Sequence, residues 1–303
     1  MSNILAMFPG QGSQYVGMAR DLLNQFPRLA IVFEEAEEAC KLPIRRLCDD
    51  GPETELRLTE NQQPCILTVS SAMWKILQEE SGIKPQLYAG HSLGEYSALV
   101  AAGKLTLWDA ARLVRERGRA MQEAVPQGIG AMAAVLKADE RELLALCQEL
   151  WQLDKRVEIA NYNSPEQHII SGHKEAVDAL AKKLAEKKIR SLPLPVSAPF
   201  HSSLMTSAKE TMLPLLKTLA LNSTPEKVIA NVSGEVEQPY KYELLVEQID
   251  HPVLWTKSVE TALNQGCRLL VEIGPGNILC NLVKRWIPKD IEVKTGLEFL
   301  RST

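Results

Sequence analysis

A serine between two glycines is the strongest chemical signal in the sequence. Residues 90–94 read Gly-His-Ser-Leu-Gly, between a short apolar segment at 87–89 and a helical pattern at 93–102. In a strand–turn–helix setting the G-x-S-x-G pattern presents a nucleophilic serine, because small flanking residues relieve crowding in the tight turn. Free N–H groups at the helix N-terminus also stabilise an oxyanion. The pattern therefore favours Ser92 as a nucleophile over an incidental serine in a glycine-rich turn.

A nucleophilic serine requires a general base, and five histidines are available. His201 is the candidate, because it lies where the chain returns to an α/β pattern after a segment of different texture. His91 adjoins Ser92 and is expected to pack rather than to act on its neighbour. His168 and His173 fall in the intervening segment and are expected to be solvated. From the sequence alone, catalytic and structural roles for His201 are equally compatible with its position.

An arginine is predicted on the apolar side of a helix. The helical pattern at 107–124 begins with Thr106 followed three residues later by Asp109, a capping-box spacing. At about 100° per residue, Arg117 shares one stripe with Leu113 and Met121. Burying an unpaired guanidinium costs several kcal/mol, so Arg117 requires an anion. Two interpretations stay open: an ion pair with an internal Asp or Glu, or a planar fork that binds a substrate carboxylate.

Composition and charge exclude several function classes. The chain has 303 residues, 45% hydrophobic and 24% charged, as expected of a globular protein. A net charge of −4 argues against nucleic acid or an anionic membrane as a partner. No apolar run is long enough to span a bilayer, and the N-terminus lacks a signal-peptide pattern, so we expect a cytoplasmic protein. The six cysteines show no C-x-x-C spacing and the histidines no H-x-x-x-H pairing, so no metal is expected.

Short β-rich segments alternate with longer segments of helical period, which predicts an α/β fold with a mainly parallel sheet. Strands are predicted at 4–8, 87–89 and 269–273, and a helix at 63–80. Residues 128–198 show a βαββαβ order, typical of a ferredoxin-like arrangement, and are predicted to be an inserted small subdomain. Residues 1–127 and 199–303 then form the large catalytic domain, for which we expect an α/β-hydrolase-like fold.

Several motifs occur together in the order of a known family. They are Phe8-Pro9-Gly10-Gln11-Gly12-Ser13-Gln14, Gly90-His91-Ser92-Leu93-Gly94-Glu95, Arg117, Pro199-Phe200-His201-Ser202, Gln248 with Pro252-Val253 and Trp255, and Glu272-Ile273-Gly274-Pro275-Gly276. In this combination the chain resembles the malonyl-CoA:acyl carrier protein transacylases of fatty-acid and polyketide synthesis. The resemblance extends from residue 4 to about residue 285.

The resemblance implies a catalytic dyad. Ser92 would be the nucleophile, and His201 would be the general base and then the acid for the departing thiol. The backbone carbonyl of Gln248 would hold the second imidazole nitrogen, so no third acidic residue is needed. The backbone N–H groups of Gln11 and Leu93 would form the oxyanion hole.

The resemblance also implies the substrates. Arg117 would bind the malonyl carboxylate, and Asn163 would lie near the bound acyl-thioester. Phe200 would exclude an α-methyl group, which favours malonyl over methylmalonyl. The reaction would be ping-pong, from malonyl-CoA to Ser92 and then to the phosphopantetheine thiol of an acyl carrier protein, with no metal or prosthetic group.

Two other functions share part of this pattern. A serine hydrolase would use the same nucleophile with water as the acceptor, but it has no use for an inward-facing Arg117. A non-catalytic carrier-binding or malonyl-sensing module would not require both Ser92 and His201.

A basic cluster in the predicted insert could dock the carrier protein. Its members are Lys182, Lys183, Lys187, Lys188 and Arg190. Carrier proteins are typically acidic, and local patches steer association even when the whole protein has no favourable charge. The alternative is a solvated helix face, which charge runs usually form.

Overall fold

Two β-sheets organise the part of the chain that the computed structural model describes, residues 3–151, 155–196 and 198–302. In chain order the strands are β1 (Asn3–Phe8), β2 (Leu87–Gly90), β3 (Gly130–Leu136), β4 (Val157–Ser164), β5 (Gln167–His173), β6 (Arg190–Pro193), β7 (Lys227–Ile229), β8 (Val236–Glu237), β9 (Cys267–Glu272) and β10 (Glu292–Thr295). The larger sheet has the order β10–β9–β1–β2–β7–β8. Its neighbours are parallel except β7 and β8. The predicted mainly parallel sheet is confirmed.

The central strands of this sheet are apolar on both faces. Residues 5–8 of β1 and all of β2 are buried, as required of strands covered by helices on both sides. Phe8 and Gly90 are register partners in the parallel pair of β1 and β2. The carboxyl ends of the two strands therefore lie side by side, so the loops carrying Gln11 and Ser92 leave the sheet next to each other.

Helices cover the larger sheet and join the two sheets. In chain order they are α1 (Arg20–Gln25), α2 (Ala30–Cys40), α3 (Ile44–Asp49), α4 (Glu53–Leu56), α5 (Thr59–Ser81), α6 (Gly94–Ala101), α7 (Leu107–Glu123), α8 (Glu140–Glu149), α9 (Lys174–Glu186), α10 (Thr206–Lys217), α11 (Tyr242–Glu247), α12 (Trp255–Asn264), α13 (Ile278–Val283) and α14 (Gly296–Arg301). The capping of α7 is confirmed, because the Thr106 side chain accepts a hydrogen bond from the Asp109 N–H.

Helix α5 begins four residues before the predicted start at Gln63. Its first turn is buried against α7, where a Cβ added to Gly118 would lie 2.6 Å from the Thr59 carbonyl oxygen. This close crossing outweighs the missing N–H of Pro64, which lies inside the helix. Tertiary packing therefore sets the boundary.

The smaller sheet has the order β4–β5–β3–β6 and is antiparallel throughout. One face packs against α8 and α9 through a separate apolar cluster that includes Val135, Ile159 and Leu180. The other face, with Ala134 and Ile169, joins the main core. Helix α9 therefore lies on the side of this sheet that faces away from the larger sheet. Residues 152–154 and 197 of the predicted insert lie outside the described residues.

The expectation that His168 is solvated is wrong. His168 is 2% exposed, and its ring lies edge-on to Tyr162 with centroids 5.5 Å apart. It pairs opposite Val135, so it shares the face that α8 and α9 cover. Burial lowers the pKa of His168, since the charged imidazolium is disfavoured away from water. His173 lies at the strand end, partly exposed, and its Nδ1 accepts a hydrogen bond from the Arg156 N–H.

The described part of the chain contains no helix that could cross a membrane. Within the same residues, no group of three or more His, Cys, Asp or Glu side chains is placed to hold a metal ion. All six cysteines are buried free thiols.

Candidate active site

Ser92 lies in a strained turn between β2 and α6. Its φ of 52° is in the left-handed region, which non-glycine residues rarely adopt. The turn also requires both flanking glycines. A Cβ at Gly90 would lie 1.9 Å from the Gly94 backbone, and a Cβ at Gly94 would lie 2.0 Å from the Phe8 carbonyl oxygen. The G-x-S-x-G spacing therefore follows from backbone contacts that leave no room for a side chain.

Asn231, which the sequence analysis did not identify, fixes this turn from the neighbouring strand. Its side-chain oxygen accepts a 2.7 Å hydrogen bond from the Ser92 N–H, and its amide donates 2.6 Å to the Gly90 carbonyl. Asn231 follows β7, whose carboxyl end lies beside that of β2. Polar residues at the carboxyl ends of parallel strands are the signal that could have found it.

Ser92 and His201 form a hydrogen-bonded pair. Ser92 Oγ lies 2.6 Å from His201 Nε2, and His201 Nδ1 lies 2.8 Å from the backbone carbonyl oxygen of Gln248. A carbonyl oxygen only accepts, so Nδ1 must carry the proton and Nε2 is left to accept from the serine hydroxyl. Both side chains are buried. This arrangement has the geometry of a nucleophile and its general base.

The charge state of His201 is set by its surroundings. Burial and, to a smaller extent, the nearby Arg117 cation together lower its pKa to about 3. The imidazole is therefore neutral at neutral pH, as a general base must be. The loop that carries His201 is held by Glu158 of β4, whose carboxylate accepts from the Ser203 N–H at 2.7 Å and from its hydroxyl at 2.8 Å.

Arg117 is fully buried and its guanidinium contacts the Ser92 hydroxyl. Its guanidinium donates to Gln63 Oε1 at 2.8 Å, to Gln248 Oε1 at 2.8 Å and to Ser92 Oγ at 3.1 Å. Among the described residues, no carboxylate oxygen lies within 4.0 Å of it, so the structural ion pair left open by the sequence is not formed. The Arg117 Nε–H and the Gln63 amide N–H groups have no partner within the described residues.

A buried carboxylate lies behind this cation. Glu95, 0% exposed on α6, accepts from the Tyr240 hydroxyl at 2.6 Å, from the Asn231 N–H at 3.1 Å and from the Gln248 side-chain amide. Burial raises the pKa of Glu95 to about 7, against the opposing effect of these donors and of Arg117. The sequence signal was available, because Glu95 is the only charged residue in the otherwise uncharged α6.

The two backbone N–H groups expected to form the oxyanion hole, those of Gln11 and Leu93, lie at the turn that carries Ser92, here called the elbow. The loop before Gln11 passes so close that a Cβ at Gly10 would lie 2.4 Å from the His91 carbonyl oxygen. The Gln11 side chain is held by Gln62 at 2.6 Å. Neither the Gln11 N–H nor the Leu93 N–H donates a hydrogen bond within the part of the chain described.

Asn163 and Phe200 lie at the edge of this group. Asn163 Oδ1 is 2.7 Å from His91 Nε2, and the His91 ring packs edge-on against Trp255, in line with the packing role expected for it. Phe200 is buried in the main core next to His201. The structure therefore brings Ser92, His201, Arg117 and Gln248 into direct contact, but it gives Asn163 and Phe200 no hydrogen bond or ion pair with these four among the described residues.

Two of the five residues in the basic cluster, which lies at the C-terminal end of α9 and just beyond it, pair with α8. Lys183 pairs with Glu149 and Lys187 with Glu142, each at 2.7 Å. Since α9 also lies on the far face of the smaller sheet, these contacts favour the alternative of a solvated helix face.

Comparison with known proteins gives a consistent result. Residues 6–297 match the family model described as an acyl transferase domain. The malonyl CoA-acyl carrier protein transacylase of Escherichia coli K12 is 43% identical over 289 residues, which cover 94% of this chain and 93% of the relative. A Bacillus subtilis protein of the same name is 42% identical over 290 residues, which cover 94% of this chain and 72% of the relative.

Solved structures agree with these sequence relatives. The malonyl-CoA:acyl carrier protein transacylase of Xanthomonas oryzae pv. oryzae superposes with a TM-score of 0.95 at 39% identity, covering 100% of this chain and 98% of the other. A malonyl-transacylase solved in complex with a type II polyketide synthase acyl-carrier protein has a TM-score of 0.94 at 38% identity, with both chains fully covered. The chain belongs to the malonyl-CoA:acyl carrier protein transacylase family of acyl transferases.

Proposed function

We propose that this enzyme transfers a malonyl group from malonyl-CoA to the phosphopantetheine thiol of an acyl carrier protein through a malonyl-Ser92 intermediate. The main support for this proposal is the position of the Arg117 guanidinium. It is fully buried, has no carboxylate partner among the described residues and lies 3.1 Å from the Ser92 hydroxyl. A cation in this position suits an acyl group whose far end is a carboxylate, bound through two parallel hydrogen bonds.

In the first half-reaction Ser92 attacks the thioester carbonyl. His201 Nε2 takes the hydroxyl proton, while the Gln248 carbonyl stabilises the resulting imidazolium through Nδ1–H. The bond from Ser92 Oγ to the acyl carbon forms first and gives a tetrahedral intermediate. The carbon–sulfur bond then breaks, and the proton passes from Nε2 to the departing CoA sulfur. General-base catalysis of this kind is typically worth about 10² to 10⁴ in rate.

Two backbone donors stabilise the tetrahedral oxyanion in this proposal. They are the Leu93 N–H at the start of α6 and the Gln11 N–H from the adjacent loop, both without a partner among the described residues. Removal of one such donor typically costs about 10²-fold or more in rate. Their position beside the strained elbow supports this assignment.

The malonyl carboxylate also adjusts the base. Arg117 lowers the pKa of His201, which makes formation of the imidazolium unfavourable in the free enzyme. A bound carboxylate offsets the Arg117 charge, so the base becomes stronger when the correct acyl group is present. This effect favours malonyl over acyl groups that lack a distal carboxylate.

In the second half-reaction the carrier thiol replaces CoA. His201 removes the thiol proton, the sulfur attacks the malonyl-Ser92 ester, and the proton returns to Ser92 Oγ. Every step uses the chain's own groups and the two substrates, so the proposal needs no metal or prosthetic group. Within it, Phe200 next to His201 excludes an α-methyl group and Asn163 contributes to the acyl-thioester pocket.

A finer description of the fold accompanies this proposal. We infer that residues 1–127 and 199–303 form an α/β-hydrolase-like catalytic domain, into which residues 128–198 are inserted as a ferredoxin-like subdomain. The nucleophile elbow at the carboxyl end of β2 supports the first assignment. The β3–α8–β4–β5–α9–β6 order and the β4–β5–β3–β6 sheet support the second.

Release of CoA distinguishes transfer from hydrolysis. Malonyl-CoA is incubated with the enzyme, with and without a phosphopantetheinylated carrier protein, and free CoA is followed over many turnovers. A transferase releases about one CoA per enzyme without the carrier and turns over only when the carrier is added. Sustained CoA release without the carrier would show that water is the acceptor, as in a serine hydrolase.

A further inference from the structure

We propose that Glu95 is a positioning residue for malonyl selection: its carboxylate fixes the orientation of the Gln248 side-chain amide and thereby holds the Arg117 guanidinium beside Ser92. The inference rests on the proposed function, since it concerns how the same site keeps its cation in place. Glu95 itself touches neither the reacting atoms nor the guanidinium, so its effect on the position of Arg117 passes through Gln248.

The Gln248 side chain lies between the carboxylate and the cation. Its Nε2 donates to Glu95 and, at 2.9 Å, to the Ser92 backbone carbonyl, while its Oε1 accepts from Arg117 at 2.8 Å. An amide has one donating and one accepting end, so its orientation is decided by its neighbours. Glu95 and the Ser92 carbonyl accept, and Arg117 only donates, so the observed orientation satisfies all three.

The same carboxylate reaches the nucleophile by a second route. Glu95 Oε1 accepts from the Asn231 N–H at 3.1 Å, and the Asn231 side chain bonds both the Ser92 N–H and the Gly90 carbonyl. One buried side chain therefore connects the serine turn and the cation. Burying a carboxylate is costly, and among the described residues Glu95 is used only to accept from the three donors Gln248, Asn231 and Tyr240.

Replacement of Glu95 by glutamine creates a conflict without changing the shape. An amide at this position has one donating end, which must face either the Asn231 N–H or the Gln248 amide. The backbone N–H cannot turn, whereas the Gln248 amide can. If it turns, its Nε2 faces the donors of Arg117, and the guanidinium loses an acceptor beside Ser92.

The first experiment measures kcat/KM for acylation by malonyl-CoA and by acetyl-CoA in the Glu95→Gln variant. Acetyl lacks the distal carboxylate, so loss of Arg117 placement should lower the malonyl:acetyl ratio by about tenfold or more, the size typical of leaving a buried donor without its acceptor. A purely structural Glu95 would change stability and leave the ratio of a folded variant alone. Ser97→Ala is the matched control, because Ser97 is also buried on α6 and its hydroxyl has no partner within the described residues.

A second variant tests the inference even if Glu95→Gln does not fold. Tyr240→Phe removes the hydroxyl that donates to Glu95 at 2.6 Å, which raises the pKa of the carboxyl group. It also removes the hydroxyl that could accept a hydrogen bond from a protonated Glu95 Oε1. The carboxyl proton must then face the Gln248 amide or the Asn231 N–H, and both of these are donors. The other titratable groups facing Glu95 are Arg117 and Tyr96, both unchanged in this variant.

For Tyr240→Phe we expect a malonyl:acetyl ratio equal to wild type at about pH 9 that falls towards about pH 6, whereas the wild-type ratio stays level because its Tyr240 hydroxyl can accept from protonated Glu95. An unchanged ratio in folded Glu95→Gln, or a Tyr240→Phe pH profile parallel to wild type, overturns the inference. Failure of the proposed function is recognised separately, because wild-type enzyme would then transfer no malonyl to the carrier protein.

Discussion

Replacement of Arg117 by alanine separates the malonyl-binding role from a structural role. The side chain is fully buried and its guanidinium donates to Ser92 Oγ, Gln63 and Gln248. The substitution leaves the malonyl carboxylate in a buried site without its cation. Acetyl has no distal carboxylate, so its transfer loses no such contact.

The expected loss follows from the burial of this charge. Removing one partner of a buried, hydrogen-bonded charge pair costs about 3–5 kcal/mol, and about 1.4 kcal/mol corresponds to a factor of ten. Malonyl kcat/KM should therefore fall by about two to four orders of magnitude. For acetyl, the loss of the Arg117 charge raises the pKa of His201 and strengthens the base, so we expect a change of less than about tenfold.

The assay is single-turnover acylation by each acyl-CoA, followed by intact-protein mass. Arg112→Ala is the matched control, since Arg112 is exposed on the same helix, and thermal unfolding shows whether each variant is folded. An equal loss for malonyl and acetyl would mean that Arg117 is structural. Unchanged malonyl acylation would remove it from the site.

Four further predictions address specificity, protonation, acid stability and docking. Phe200→Ser should raise the ratio of methylmalonyl kcat/KM to malonyl kcat/KM by a factor that corresponds to about 1–3 kcal/mol. An unchanged ratio would refute the steric account. Because the pKa of His201 is lowered to about 3, malonyl kcat/KM should show no acid limb near pH 6.5, and a limb there would contradict a neutral buried base. The pKa of His201 is higher in the unfolded chain than in the folded one, so the unfolded chain takes up this proton first as pH falls. The stability contributed by neutral His201 is therefore lost between these two pKa values, and acid unfolding of His201→Ala should show a weaker pH dependence over that interval. Lys182→Glu/Lys187→Glu should leave acylation unchanged; a higher carrier KM with a weaker salt dependence would restore α9 as the docking surface, which its pairing with α8 disfavours.

The elements that hold the chemistry could be predicted because their signals are local. The elbow depends on glycines whose missing side chains are required by backbone contacts, and Arg117 stands out because it interrupts an apolar stripe. The structure was needed to choose between the two interpretations of Arg117, since periodicity places a residue on a face but does not identify its partners. The same limit explains His168, whose burial depends on helices that cover one face of the smaller sheet.

The support around the site could not be predicted in the same way. Asn231, Gln63 and Tyr240 come from segments far from Ser92 in sequence, and their roles arise from single hydrogen bonds. A lone polar residue at a strand end or in a long helix has many compatible environments. Glu95 carried a clearer signal, because a charged residue in an otherwise uncharged helix must find donors in the core.

The covalent intermediate on Ser92 is the central claim, and peptide mass spectrometry tests it most directly. Enzyme mixed with malonyl-CoA is quenched, digested and mapped, with Ser92→Ala as the control and a chase with carrier protein before quenching. The account predicts one malonyl group on the peptide that contains Ser92, absent from the variant and lost to the carrier in the chase. Malonyl attached to Ser92→Ala at the wild-type level, or a wild-type label that the carrier cannot remove, would contradict it.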